Sequence, residues 1–111
     1  MTEREARLAK NEALFRGVNE RVKDVKGELG EAAPGARIEF ICECGREDCV
    51  AQVRLTLTEY EGVRANATHF ILKPGHETAH VERIVREEDG YVVAEKHPEE
   101  ATIARRTDPR S

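Results

Sequence analysis

The chain carries its three cysteines within eight positions, Cys42-Glu43-Cys44-Gly45-Arg46-Glu47-Asp48-Cys49, a C-x-C-x4-C spacing. An odd number clustered this tightly does not suit the disulfide framework of a secreted domain, and in a reducing compartment it points to metal or redox chemistry. Three thiolates on one turn converge easily, and Zn²⁺ favours sulfur with imidazole in a tetrahedral shell. Gly45 supplies a residue that can turn the chain back around an ion. A fourth ligand is then required, and the histidines on offer are His69, His76, His80 and His97. His76 ends the turn Lys73-Pro74-Gly75-His76, which can aim a side chain rigidly across at the cysteine loop. The leading expectation is therefore a structural Cys3His zinc site of Cys42, Cys44, Cys49 and His76. His76-x3-His80 also has finger-like spacing, so a Cys2His2 site of Cys44, Cys49, His76 and His80 competes for the same atoms and leaves Cys42 free. A third reading makes the cysteines small buried hydrophobes, against which stand their charged neighbours. Glu43, Arg46, Glu47 and Asp48 are read as solvated loop charges, His69 as a packed histidine beside a core strand, and His97, before Pro98, as an exposed loop residue.

A catalytic zinc keeps an open position with a general base beside it, which four protein ligands do not leave. The sequence holds no H-E-x-x-H, no G-x-S-x-G, no P-loop and no glycine-rich dinucleotide turn, so the reading is not an enzyme.

The elements that must position this cluster follow from the hydrophobic period. Thr2 with Glu5 three positions on is a capping-box pattern that opens one long amphipathic helix over residues 1–30. Its apolar residues Leu8, Phe15, Val18, Val22, Val25 and Leu29 recur at alternating threes and fours, with Asn11 completing the series. That stripe packs either on the protein's own sheet or on a partner helix, where a polar Asn in the seam would specify register. Gly27, Gly30, Pro34 and Gly35 end the helix, and residues 31–36 read as a linker.

Beyond it the period becomes strand-like, and residues 37–98 form the zinc-binding α+β domain. Arg37 to Ile41 enters the cysteine cluster and Ala51 to Leu55 leaves it, so the cluster sits at a strand-to-strand turn. Thr56 with Glu59 is a second capping box, opening a short helix to about Ala65. Phe70-Ile71-Leu72 is a short strand, and Asp89-Gly90 between Val81–Glu88 and Tyr91–Lys96 marks a tight hairpin. Residues 99–111 read as a flexible tail that frays after a short helical turn. The fold class is thus α+β: a long N-terminal helix, then a small, mostly antiparallel sheet with one short helix, stapled by zinc.

Composition sets the outer bounds. The chain has 111 residues, 39% hydrophobic and 36% charged, with a net charge of −4, which suits one small domain in need of a staple. No run approaches the length of apolar chain that spans a membrane, and the charged N-terminus carries no signal-peptide core, so a cytoplasmic location is expected. Residues 1–30 carry a net +1 and the remainder −5, short of the positive excess that nucleic-acid binding uses.

These residues together resemble a group of small, functionally uncharacterised proteins of actinobacteria and related high-GC bacteria. The resemblance lies in Asn11-Glu12-Ala13-Leu14-Phe15-Arg16 with Val18-Asn19-Glu20-Arg21, Phe40-Ile41-Cys42-Glu43-Cys44 with Cys49, and Leu57-Thr58-Glu59-Tyr60-Glu61 with Val63-Arg64. Pro74-Gly75-His76 and Gly90-Tyr91-Val92-Val93 with Glu95-Lys96 complete it, so it spans residues 7 to 96. It implies that Cys42, Cys44, Cys49 and His76 act together, leaves His80 outside the pattern and supplies no activity. The function expected is a zinc-stapled interaction or regulatory module that docks on a protein partner, or pairs with itself, through the N-terminal helix. The alternatives are a thiol and zinc redox switch and a nucleic-acid-binding zinc module.

Overall fold

The computed structural model describes residues 2–28 and 35–110. The last stripe residue, Leu29, and most of the expected linker lie outside them. The elements run α1 (Glu3–Glu28), β1 (Arg37–Ile41), β2 (Gln52–Thr56), α2 (Leu57–Arg64), β3 (His69–Leu72), β4 (Glu82–Glu88), β5 (Tyr91–Lys96) and α3 (Pro98–Arg106). The architecture is α+β, with the strands divided between two antiparallel sheets: β1 with β2, and β3-β5-β4.

Both capping boxes form. Thr2 and Glu5 exchange backbone and side-chain hydrogen bonds of 3.2 and 3.1 Å at the start of α1, and Thr56 and Glu59 do the same at 2.8 and 3.1 Å before α2. Alternation places Ile38 and Phe40 of β1 opposite Leu55 and Val53 of β2, all buried on one face. That face meets Tyr60 and Val63 of α2 and Ile71, Tyr91 and Val93 of the other sheet in the main core, where the Phe40 and Tyr60 rings stack 4.3 Å apart. A second cluster joins Cys42 and Cys44 to Leu72, Val92 and Ala94, so the cysteine loop roofs the three-stranded sheet.

Two expectations change. The N-terminal helix packs on the protein's own strands, but its buried residues are Ala9, Glu12, Arg16 and Asn19. Of the apolar stripe, Leu8, Phe15 and Val22 are half-buried, whereas Val18 and Val25 face outward with Leu14. Period alone cannot rank faces when the polar residues also recur at helical spacing and find buried partners. The second change is the C-terminal segment, which forms the nine-residue α3 where only a short helical turn before a fraying tail was expected. Pro98 starts it at a position where a missing N–H is harmless, and Ala101 and Ala104 are buried. Arg110 then binds Glu20 and Glu61 on α1 and α2. Among the described residues, no helix is long and apolar enough to cross a membrane.

Candidate metal centre

Cys42 follows directly on β1, and its N–H donates to the Ala51 carbonyl at 3.0 Å, so the loop begins as an extension of the β1–β2 ladder. Gly45 has φ of +79°, the left-handed conformation that reverses the chain, and a Cys49 N–H to Arg46 carbonyl bond of 3.1 Å closes the turn. On the far side, the His76 N–H donates to the Lys73 carbonyl at 3.0 Å, which fixes the Pro74-Gly75 turn after β3.

These two turns bring the sulfurs of Cys42, Cys44 and Cys49 and one ring nitrogen of His76 within 4.8 Å of one another, the one such grouping of metal-binding side chains among the described residues. His76 Nδ1 lies 3.6 Å from Cys42 Sγ and 3.5 Å from Cys49 Sγ. A tetrahedral zinc with Zn–S of about 2.3 Å and Zn–N of about 2.0–2.1 Å requires an S···N edge of about 3.5 Å. The edges from Cys42 and Cys49 to His76 match that length, and Nδ1 is the nitrogen that faces the sulfurs.

The surroundings suit a cation. Cys42 and Cys44 are buried, and Cys49 and His76 are half-buried. Burial pushes the Cys42 thiol up to about 12 and raises that of Cys44, so holding both as thiolates calls for a positive charge at the site. The Lys73 N–H donates to Cys42 Sγ at 3.2 Å, a backbone bond that orients the sulfur and favours its charged form. The cysteines share one pole with a histidine and form no disulfide, which separates this arrangement from that of cysteines buried only as hydrophobes.

The other histidines stand apart. His80 is exposed, lines an open cleft with Thr2, Glu5 and Arg46, and is not among the gathered donors. His69 sits half-buried on β3 with Nε2 3.1 Å from Glu95. His97 is the residue before α3, its Nε2 3.0 Å from the Ala79 carbonyl. Arg46, Glu47 and Asp48 are exposed, as expected, but Glu43 is only 1% exposed and is not a solvated loop charge. Its carboxylate accepts from Asn19 Nδ2 at 2.8 Å and from the Ile71 N–H at 3.0 Å. Burial pushes Glu43 up to about 7 against these hydrogen bonds and the nearby Arg64 and Arg16.

Sequence reasoning missed the residues of α1 that hold the loop. Asn19 uses both ends of its amide on the backbone of Ile41, accepting its N–H and donating to its carbonyl, each at 2.9 Å. Asn11, read as a seam residue, donates to the Gly45 carbonyl at 3.0 Å. Arg16 donates to the carbonyls of Ala67 and Ala104 at 2.6 and 2.7 Å, with its guanidinium 4.4 Å over the Phe70 ring. Glu12 and Glu82 flank the Lys96 ammonium in a buried ionic cluster. The signal was the spacing of Glu12, Arg16 and Asn19, four and then three apart, which is as helical as that of the stripe. The chain matches no protein-family model, no curated protein and no solved structure with which it was compared, so its function has to be argued from this cluster itself.

Proposed function

We propose that the chain is a small zinc-binding interaction module in which Cys42, Cys44, Cys49 and His76 close a structural Cys3His site. The observation that carries this is the convergence of three sulfurs and His76 Nδ1 within 4.8 Å of one another, with the Cys42 and Cys49 S···N edges at tetrahedral length. Zinc is favoured over harder ions by the sulfur-rich donor set, and four protein ligands leave no position for a substrate. This supports a structural role over a catalytic one.

Zinc content on protein purified without added metal tests the site. One zinc per chain is expected, lost in Cys42→Ser, Cys44→Ser, Cys49→Ser and His76→Ala and retained in His80→Ala. Zinc retained in His76→Ala and lost in His80→Ala would assign the fourth ligand to His80 and overturn the set.

For the interaction role, the support is the outward row of Leu14, Val18 and Val25 on α1, 63%, 40% and 46% exposed. Self-pairing through this row predicts a mass that rises with concentration and returns to that of a monomer in Leu14→Glu and Val18→Glu with zinc still bound. A monomer at every concentration leaves a different protein as the partner.

A redox reading has one observation in its favour: Cys49 is half-exposed beside two other thiols. Peroxide would oxidise one thiolate to a sulfenic acid, which a second thiol converts to a disulfide with release of water and of the metal. Zinc that stays bound under modest peroxide excludes it.

A further inference from the structure

The segment from Ile41 to Gly45 runs between the metal centre and α1 and presents them with alternate residues. Cys42 and Cys44 point to the metal centre. Ile41, Glu43 and Gly45 are the residues that α1 holds, through Asn19, Asn19 again and Asn11. α1 holds Ile41 and Gly45 by their main-chain groups and Glu43 by its side chain, and these three alternate in sequence with Cys42 and Cys44, so the two sets cannot be moved independently. Gly45 tightens the arrangement further: a Cβ there would lie 2.6 Å from Glu12 Cγ and 2.8 Å from the Leu8 carbonyl oxygen. The backbone of the metal loop therefore touches the backbone of α1.

The hold on α1 elsewhere is of a particular kind. Its fully buried residues are Ala9 and three polar groups, and its larger apolar residues are at most half-buried. Such a helix is held by directional bonds that need their partners in place, and a buried polar group that loses its partner is penalised. Asn19, which is fully buried, has all its bonds on the segment that the metal would fix.

From this alternation we infer that metal occupancy governs the docking of α1, with Asn11, Asn19 and Glu43 as the latch. The inference rests on the reading of Cys42, Cys44, Cys49 and His76 as a zinc site and adds its consequence. With the ion bound, Cys42 and Cys44 are fixed and their neighbours present a rigid edge to the helix. Without it, the buried thiols no longer share a ligand, the segment loses its fixed alternation and the Asn bonds go with it. The β3-β5-β4 sheet keeps its own ladder. Undocking unites Leu8, Phe15 and Val22 with Val18 and Val25, so the apolar stripe visible in the sequence becomes one uncovered face.

Coupling of this kind is reciprocal: residues that dock the helix must also raise the affinity for the metal, by the same factor. Hydrogen exchange on the full chain, zinc-loaded and then stripped with a chelator, reads the first direction, with zinc content measured on each sample. Amides of residues 8–22 are expected to lose protection at least about tenfold, within the roughly 5- to 150-fold span usual for coupled sites. Those of Leu72 and Val92 to Ala94, in the β3–β5 ladder, are expected to keep theirs. Competition with a chromophoric chelator reads the other direction. Asn19→Ala and Asn11→Ala are expected to weaken zinc binding about tenfold, and Glu87→Ala on exposed β4 to leave it unchanged. Should Asn19→Ala not fold, Asn11→Ala, at the half-buried edge, gives the same reading.

Three results overturn the latch. Protection in α1 that survives verified loss of zinc does so, as does a helix and sheet that lose protection together, which would make the ion a staple of the whole fold. Wild-type affinity in both Asn variants does so as well. A wild type that binds no zinc is a different failure, since it removes the metal centre and the latch with it.

Discussion

At the scale of single residues, the cysteine loop depends on groups outside the candidate donor set. Gly45 combines a positive φ with contact against α1, so both a strained backbone and a collision await any side chain there. Gly45→Ala should destabilise the zinc-loaded protein by roughly 2–4 kcal/mol, read from the midpoint of urea unfolding. A change below about 0.5 kcal/mol, the range of ordinary surface substitutions, would mean that loop and helix are not in this contact.

Glu12 offers a second test, through pH. Burial pushes its carboxyl up to about 8, with Lys96 pulling it down and Glu82 adding to the rise. The folded state then holds a proton that the unfolded chain releases near its ordinary value of 4.5. Stability from this group is complete below 4.5 and is lost as the pH rises towards 8, with a slope of at most about 1.4 kcal/mol per pH unit. Glu12→Gln lacks the proton equilibrium, so its stability relative to wild type should improve across that window. Unfolding at a series of pH values in saturating zinc measures the difference, and parallel curves for the two proteins contradict it.

At the scale of elements, local chemistry made most of the fold readable. The limits of β1, both capping boxes and the Asp89-Gly90 hairpin follow from residues adjacent in sequence, and each has its predicted place. The C-x-C-x4-C run and the Pro-Gly-His turn pointed to the same four side chains that the structure gathers. Less legible was whatever depended on distant partners. Glu43 looks like a surface charge until Asn19 and Ile71 are placed beside it. The buried face of α1 could not be told from its apolar stripe, because the carbonyls of Ala67 and Ala104 that satisfy Arg16 lie far along the chain.

The C-terminal helix shows the same principle. Arg64 on α2 is 1% exposed and binds Asp108, which follows α3 and is 7% exposed. Glu20 lies 3.6 Å from the same guanidinium, while its own hydrogen bonds from Arg110 and Tyr60 outweigh the effect of burial and hold its carboxyl down at about 2. Arg64 Nε and Nη1 have no hydrogen-bond partner among the described residues, so Asp108 carries much of the compensation for burying this cation. Asp108→Ala should therefore cost about 3–5 kcal/mol, as when one member of a buried pair is removed. Removing a fraying tail would cost nothing, so an unchanged urea midpoint would return this segment to that description.

At the scale of the whole molecule, a chain of 111 residues with 5% aromatic content has little apolar area to spend on holding a 26-residue helix. Ionic and amide contacts take that role here, and the proposed zinc site lies beside the amide contacts of Asn11 and Asn19. Metal binding to the native state alone stabilises it by mass action, so the melting temperature should rise with free zinc and fall on chelation. A melting temperature indifferent to zinc would place the metal outside the folding equilibrium.

The most direct test of the account is the zinc-edge X-ray absorption spectrum of the purified protein, because it counts the ligand atoms around the ion. A closed Cys3His site predicts three sulfurs at about 2.3 Å and one nitrogen at about 2.0 Å. Two sulfurs with two nitrogens, or an oxygen in the shell, would contradict it.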